Sequence, residues 1–148
     1  MSQTWERIPL IEAKIKSVIE AADLGITSLL FGTKQREGKI KPPAIWIYPD
    51  VTPINDESLA LHESWSLRYV IIGMVKSLDP DVGSQQAIAL ALKASAEFIK
   101  TTAARTLDGL CNDIVRTGFI PAQDRVTDDG SVYGAGVEIE IRFTTKEA

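Results

Sequence analysis

The stretch from residue 63 to 76, ESWSLRYVIIGMVK, limits the possible folds more than any other part of the chain. Read as a strand, it points Trp65, Leu67, Tyr69, Ile71 and Gly73 to one side and Ser66, Arg68, Val70, Ile72 and Met74 to the other. Its first half alternates polar with apolar, as a half-buried strand does. Its second half, from Tyr69 to Val75, is apolar on both faces. A sheet carrying helices on one face only would leave Val70, Ile72 and Met74 wet. The strand therefore demands a second cover, and a neighbouring subunit is one way to supply it.

The flanking segments fill in an α+β arrangement. Ile8, Ile11, Ile15, Val18 and Ala22 recur at spacings of three and four, which predicts a helix with Pro9 in its first turn and Gly25 near its end. Residues 26–31 read as a short apolar turn packed beneath it. Residues 32–43 form a loop between glycines and the Pro42-Pro43 pair, rich in Lys34, Arg36, Lys39 and Lys41. The β-branched and aromatic run 44–48, AIWIY, predicts a strand stopped by Pro49, followed by a polar loop over 50–61. Asp79-Pro80 caps a second helix running to about Ala104, with Ile88, Ala91, Leu92, Ser95, Ile99 and Ala103 on one stripe. Its many alanines predict close backbone approach. Leu107-Asp108-Gly109 breaks the pattern, residues 110–119 read as a strand, and 121–130 as a loop around Asp128-Asp129-Gly130. The closing strand alternates cleanly, with Val137, Ile139, Ile141 and Phe143 against Glu138, Glu140, Arg142 and Thr144. The order α-β-β-α-β-β implies a mostly antiparallel four-stranded sheet with two helices packed on one face, in a single domain spanning 1–148.

Composition removes several functions. At 148 residues and 45% apolar, the chain can build its own core without a disulfide or metal staple. A formal charge of −4 makes the surface as a whole a poor grip for polyanions. One cysteine forbids an internal disulfide, and one histidine forbids multi-histidine metal sites. No apolar run approaches a membrane span, and the polar N-terminus lacks a leader pattern. Synthesis in the cytoplasm, with Cys111 reduced, is the corresponding expectation.

The chemical motifs have structural readings that outweigh the catalytic ones. Tyr133-Gly-Ala-Gly136 contains G-x-G but opens a strand, so no helix N-terminus follows to hold a phosphate. His62-Glu63 has no second histidine with which to hold a metal. Cys111 lacks a nearby base, which points to a buried structural thiol rather than a nucleophile. Glu138 and Glu140 share a strand face with Arg142, an arrangement open to acid–base work but equally produced by a solvated sheet face. The cations of 34–41 have no interleaved aromatics for base stacking. No catalytic, metal or cofactor site is expected.

Four segments together resemble the tail terminator and minor tail proteins of tailed bacterial viruses: PPAIWIY, WSLRYVIIGMV, TLDGLCNDIV (residues 106–115) and the closing GAGVEIEIRF. The third matches a T-L-G-G-like turn in that family, with Asp108 where glycine is more usual. The resemblance implies a non-enzymatic structural protein, forming a ring that is usually hexameric at the head-proximal end of the tail tube. Such a ring ends tube polymerisation and offers a joining surface to the neck or connector, while DNA passes through its lumen. It implies a virion location, with self, the tail tube protein and the neck proteins as partners, and no membrane. Val70, Ile72 and Met74 are then expected at a subunit interface, Glu138 and Glu140 on the lumen, and the loops 32–43 (with Lys34, Arg36, Lys39 and Lys41) and 50–61 at axial contacts. Two other readings remain open: a head-completion or stopper protein of the same neck, and a small α+β ligand-binding or enzymatic domain.

Overall fold

The computed structural model describes residues 4–32, 41–49, 54–59, 62–127 and 130–146. Its elements in chain order are α1 (Thr4–Ala21), β1 (Ser28–Phe31), β2 (Ala44–Pro49), β3 (Ile54–Leu59), β4 (His62–Ser77), α2 (Pro80–Ala96), α3 (Thr102–Arg105), β5 (Asp113–Thr127) and β6 (Gly130–Lys146). The strands form one sheet in the order β1-β2-β4-β6-β5, with β3 pairing onto β4 beside that row. Only β1 and β2 run parallel; the other pairs are antiparallel.

The α+β class and the mostly antiparallel sheet match the sequence-based expectation, but the sheet has six strands rather than four. Residues 28–31, expected as a turn, are β1, held in parallel to β2 by the pairing of Ser28 with Ala44 through Phe31 with Ile47. The expected loop 50–61 contains β3, whose register with β4 shifts at Asn55/Glu57. The expected loop after Pro121 is instead the outer half of β5, which stays paired with β6 as far as Thr127 across irregularities at Arg116/Gly118 and Ile120/Gln123. The second helix also stops early. α2 ends at Ala96, and after a turn a separate short α3 begins, with Thr101 Oγ1 accepting from the Ala104 amide as its N-cap.

Both long helices lie on one side of the sheet, over a continuous core. α1 contributes Ile11, Ile15 and Ile19, one per turn, against Leu67, Tyr69 and Ile71 of β4 and Ile45 and Ile47 of β2. The Tyr69 hydroxyl donates to Glu12 Oε1 at 2.9 Å, and Arg7 Nη1 donates to the Leu110 carbonyl at 2.8 Å. These two bonds fix where α1 sits. α2 comes much closer to the sheet because its inner face is Gly83, Ala87, Leu90, Ala91 and Ala94. A Cβ on Gly73 would lie 2.7 Å from the Ala87 carbonyl oxygen, and one on Gly83 would lie 2.3 Å from the Tyr133 ring. The close approach expected from the alanines is present, but the buried stripe is rotated from the expected one. Ile88 lies on the outside, while Ala87 and Leu90 lie inside. At the other end Arg116 ties α2 to β5, donating from Nε to Ser95 Oγ at 2.8 Å and from Nη2 to the Leu92 carbonyl at 3.2 Å. That carbonyl belongs to the helix's last turns, where a cation is favoured.

Candidate assembly surface

Among the described residues no helix lies over the opposite side of the sheet, and strand registers dictate what it presents. Three rows cross it: Tyr48–Val70–Glu138–Gly118, Trp46–Ile72–Gly136–Ile120, and Ala44–Met74–Gly134–Gln123. Because paired residues share a face, β2 and β4 raise one bank of large side chains and β5 raises another. Gly134 and Gly136 of β6 leave a trough between them. The trough has a volume of about 340 Å³ and is lined by Trp46, Ile72, Met74, Ile120, Pro121 and Val132, among others, with no charged side chain among the described residues that line it. The tandem glycines thus serve as a floor in a strand interior, and no helix N-terminus follows them.

The expected interface residues Val70, Ile72 and Met74 all lie on this face, but their exposure differs. Val70 and Met74 are buried within the chain itself, Val70 beside Gly136 and Met74 beside Gly134. Only Ile72 keeps accessible surface. Trp46, Tyr48, Ile120 and Pro121 complete the surface. The first two had a signal in the sequence, since they alternate with Ile45 and Ile47 in a strand apolar on both faces. Ile120 and Pro121 had none, because proline and the polar residues after it read as a loop.

Further along β4 and β6, the same face becomes polar. Arg142 donates to Glu140 Oε2 from both Nε (3.1 Å) and Nη2 (2.8 Å). Arg68 Nε lies 3.7 Å from Glu140 Oε1, an ion pair too long for a hydrogen bond. Glu140 is only 7% exposed, so its charge is spent on two arginines. Glu138 is the more exposed of the two carboxylates and accepts from Thr117 Oγ1 at 2.8 Å. Of the expected lumen pair, Glu140 is therefore a buried structural anion rather than a free surface charge.

Other residues singled out in the sequence do not gather at this face. Cys111 is buried beyond α3, its Sγ 3.5 Å from the Arg105 carbonyl oxygen. Burial, with Asp113 nearby, pushes its thiol up to about 12, which keeps it protonated at neutral pH. Lys41 is exposed, its amide directed at Ser28 Oγ. Lys34, Arg36 and Lys39 lie outside the described residues. Among the described residues no three His, Cys, Asp or Glu side chains converge as metal ligands, and no helix is long and apolar enough to cross a membrane.

No family model matches this chain, and no curated protein matches it. Among solved structures, the fold is similar to a chain in a structure titled "Virion of native gene transfer agent (GTA) particle", with a TM-score of 0.53 and 13% identity. The similarity covers 89% of this chain and 92% of the other, so the architecture is shared along nearly the whole of both.

Proposed function

We propose that this chain is a structural protein of a phage-like virion, and that it forms a ring, hexameric by family resemblance, closing the head-proximal end of a tail tube. The observation carrying this reading is the end-to-end likeness of fold to a chain from a gene transfer agent virion. Fold alone does not assign a role, so the surface chemistry must agree with it. A trough with no charged side chain among its described lining residues, on an otherwise finished domain, is compatible with assembly. Cys111, the residue best suited to covalent chemistry, is held as an unreactive thiol. In this reading the protein is not an enzyme and its partners are its own copies, the tube subunit below and the connector proteins above. DNA only passes through the lumen. The net charge of −4 disfavours retention of passing phosphates.

The test is to polymerise tail-tube subunits with and without the purified protein. The expected result is shorter tubes with extra density at one end, and six chain masses for the free or tube-bound ring by native mass spectrometry. Unchanged tube length with unoccupied ends overturns the terminator role. Binding to head connectors without binding to tubes selects the stopper reading in its place.

A further inference from the structure

The trough is not the only apolar surface left uncovered. α2 has just two charged residues, Asp81 and Lys93, in its 17 positions. Its outer side carries Val82 and Ile88, 42% and 37% exposed, with Gln85 between them at i+3 spacing. Leu78, just before the helix, is 95% exposed. Phe119, at 66%, pairs with the core-facing Val137 and so lies on the same side of the sheet as α2. A surface helix ordinarily turns a charged stripe to water; this one does not. The trough and the α2 flank thus lie on opposite sides of one sheet. One is concave and the other convex, and neither centre bears a charge.

Resting on the assembly reading above, we infer that the two surfaces are each other's partners. The Val82–Gln85–Ile88 ridge of one copy seats in the Gly134/Gly136 trough of the next. Opposite placement on one chain is what a head-to-tail contact needs, whereas a two-fold dimer would bring one patch against itself. Size agrees as well. The banks on β4 and β5 stand two strand spacings apart, about 9.6 Å, which admits one ridge of helix side chains. A second copy satisfies both exposed surfaces with a single contact, whereas foreign partners would have to be two.

The head-to-tail geometry can be tested with two half-blocked variants. Gly134→Arg fills and charges the trough; an added Cβ there makes ordinary contact, its nearest atom, Ile72 Cγ2, being 3.5 Å away. Val82→Lys/Ile88→Lys charges the ridge at exposed sites. Circular dichroism checks that both fold, and Gln123→Arg at the exposed trough rim replaces Gly134→Arg if that variant does not. Light scattering then compares each variant, their 1:1 mixture and the wild type at matched concentrations up to the solubility limit. The expected result is an assembled wild type, each variant alone at the 16.2 kDa chain mass, and a mixture giving a species of twice that mass. In that species one intact ridge meets one intact trough. If either variant assembles like the wild type, or the mixture stays monomeric, the docking is wrong and the ring reading survives. A wild type that is monomeric throughout overturns the docking and self-assembly without a template together.

Discussion

At Gly83 the Tyr133 ring occupies the space a methyl group would need, and at Gly73 the helix backbone does so. Neither neighbour yields easily, since Tyr133 is buried and Ala87 O belongs to α2 itself. Gly73→Ala and Gly83→Ala are each expected to cost about 1–3 kcal/mol by overpacking, read as a lowered thermal midpoint. The turn at 107–109 behaves differently. Leu107, Asp108 and Gly109 all take left-handed backbone, with φ of 49°, 55° and 95°. Aspartate tolerates that conformation, which explains how Asp108 stands where the resembled family favours glycine. Asp108→Gly relieves backbone strain but removes the 2.7 Å ion pair with Lys14, both partners being partly exposed. The two effects nearly cancel, so denaturant titration should show a change within about 1 kcal/mol, whereas Asp108→Val should destabilise clearly. Cys111 makes stability depend on alkaline pH. Its folded pKa of about 12 lies above the ordinary 9.0, so folding favours the protonated thiol. That contribution is complete below pH 9 and is lost as pH rises towards 12. Cys111→Ala should therefore show a shallower alkaline decline than the wild type in paired melts. A thiol reagent at pH 8 should label the native wild type only as fast as it unfolds.

Among the elements, β4 and β6 declared themselves through alternation, and α1 through the spacing of Ile8, Ile11, Ile15, Val18 and Ala22, because each has one face that must be dry; Ile19, which completes the buried row, was not among them. The elements that escaped sequence reading lack such a face. β3, INDESL, is polar between its terminal Ile54 and Leu59 and gains its place from backbone pairing with β4. β1 is only four residues long, too short for a period to show. The outer half of β5 carries Pro121 and a register irregularity, features that an edge strand tolerates and that sequence reading takes for a loop. In α2 the core stripe was displaced by one position because apolar residues surround the helix, and periodicity cannot orient such a helix. The open face was legible in part for the same reason. The two-sided apolar run of β4 announced that a second cover is needed, but the depth of the trough depends on Gly136 lying between Ile72 and Ile120 and Gly134 between Met74 and Gln123, a matter of register. Amide hydrogen exchange should follow the topology, slowest in β6 and in β4 between Leu67 and Val75, fastest in β1 at the sheet edge. Equal protection in β1 and β6 would contradict the strand order.

Across the molecule, the helix layer and the trough divide two tasks: one side of the sheet secures the fold and the other is free for contact. Ile72→Asp separates them. The side chain borders the trough, where an aspartate keeps access to water, so circular dichroism should match the wild type while assembly measured by light scattering is abolished. Loss of fold instead would mean that Ile72 belongs to the core. The sheet also has a mechanical character. β6 is joined to β4 from Ser131 to Lys146 and to β5 from Gly130 to Arg142. Ladder hydrogen bonds run perpendicular to the strands. A pull along β6 therefore shears two long rows of bonds at once instead of opening them one after another. Under load along that axis these three strands act as a tie-rod, with the short β1–β2 edge as the part that yields first.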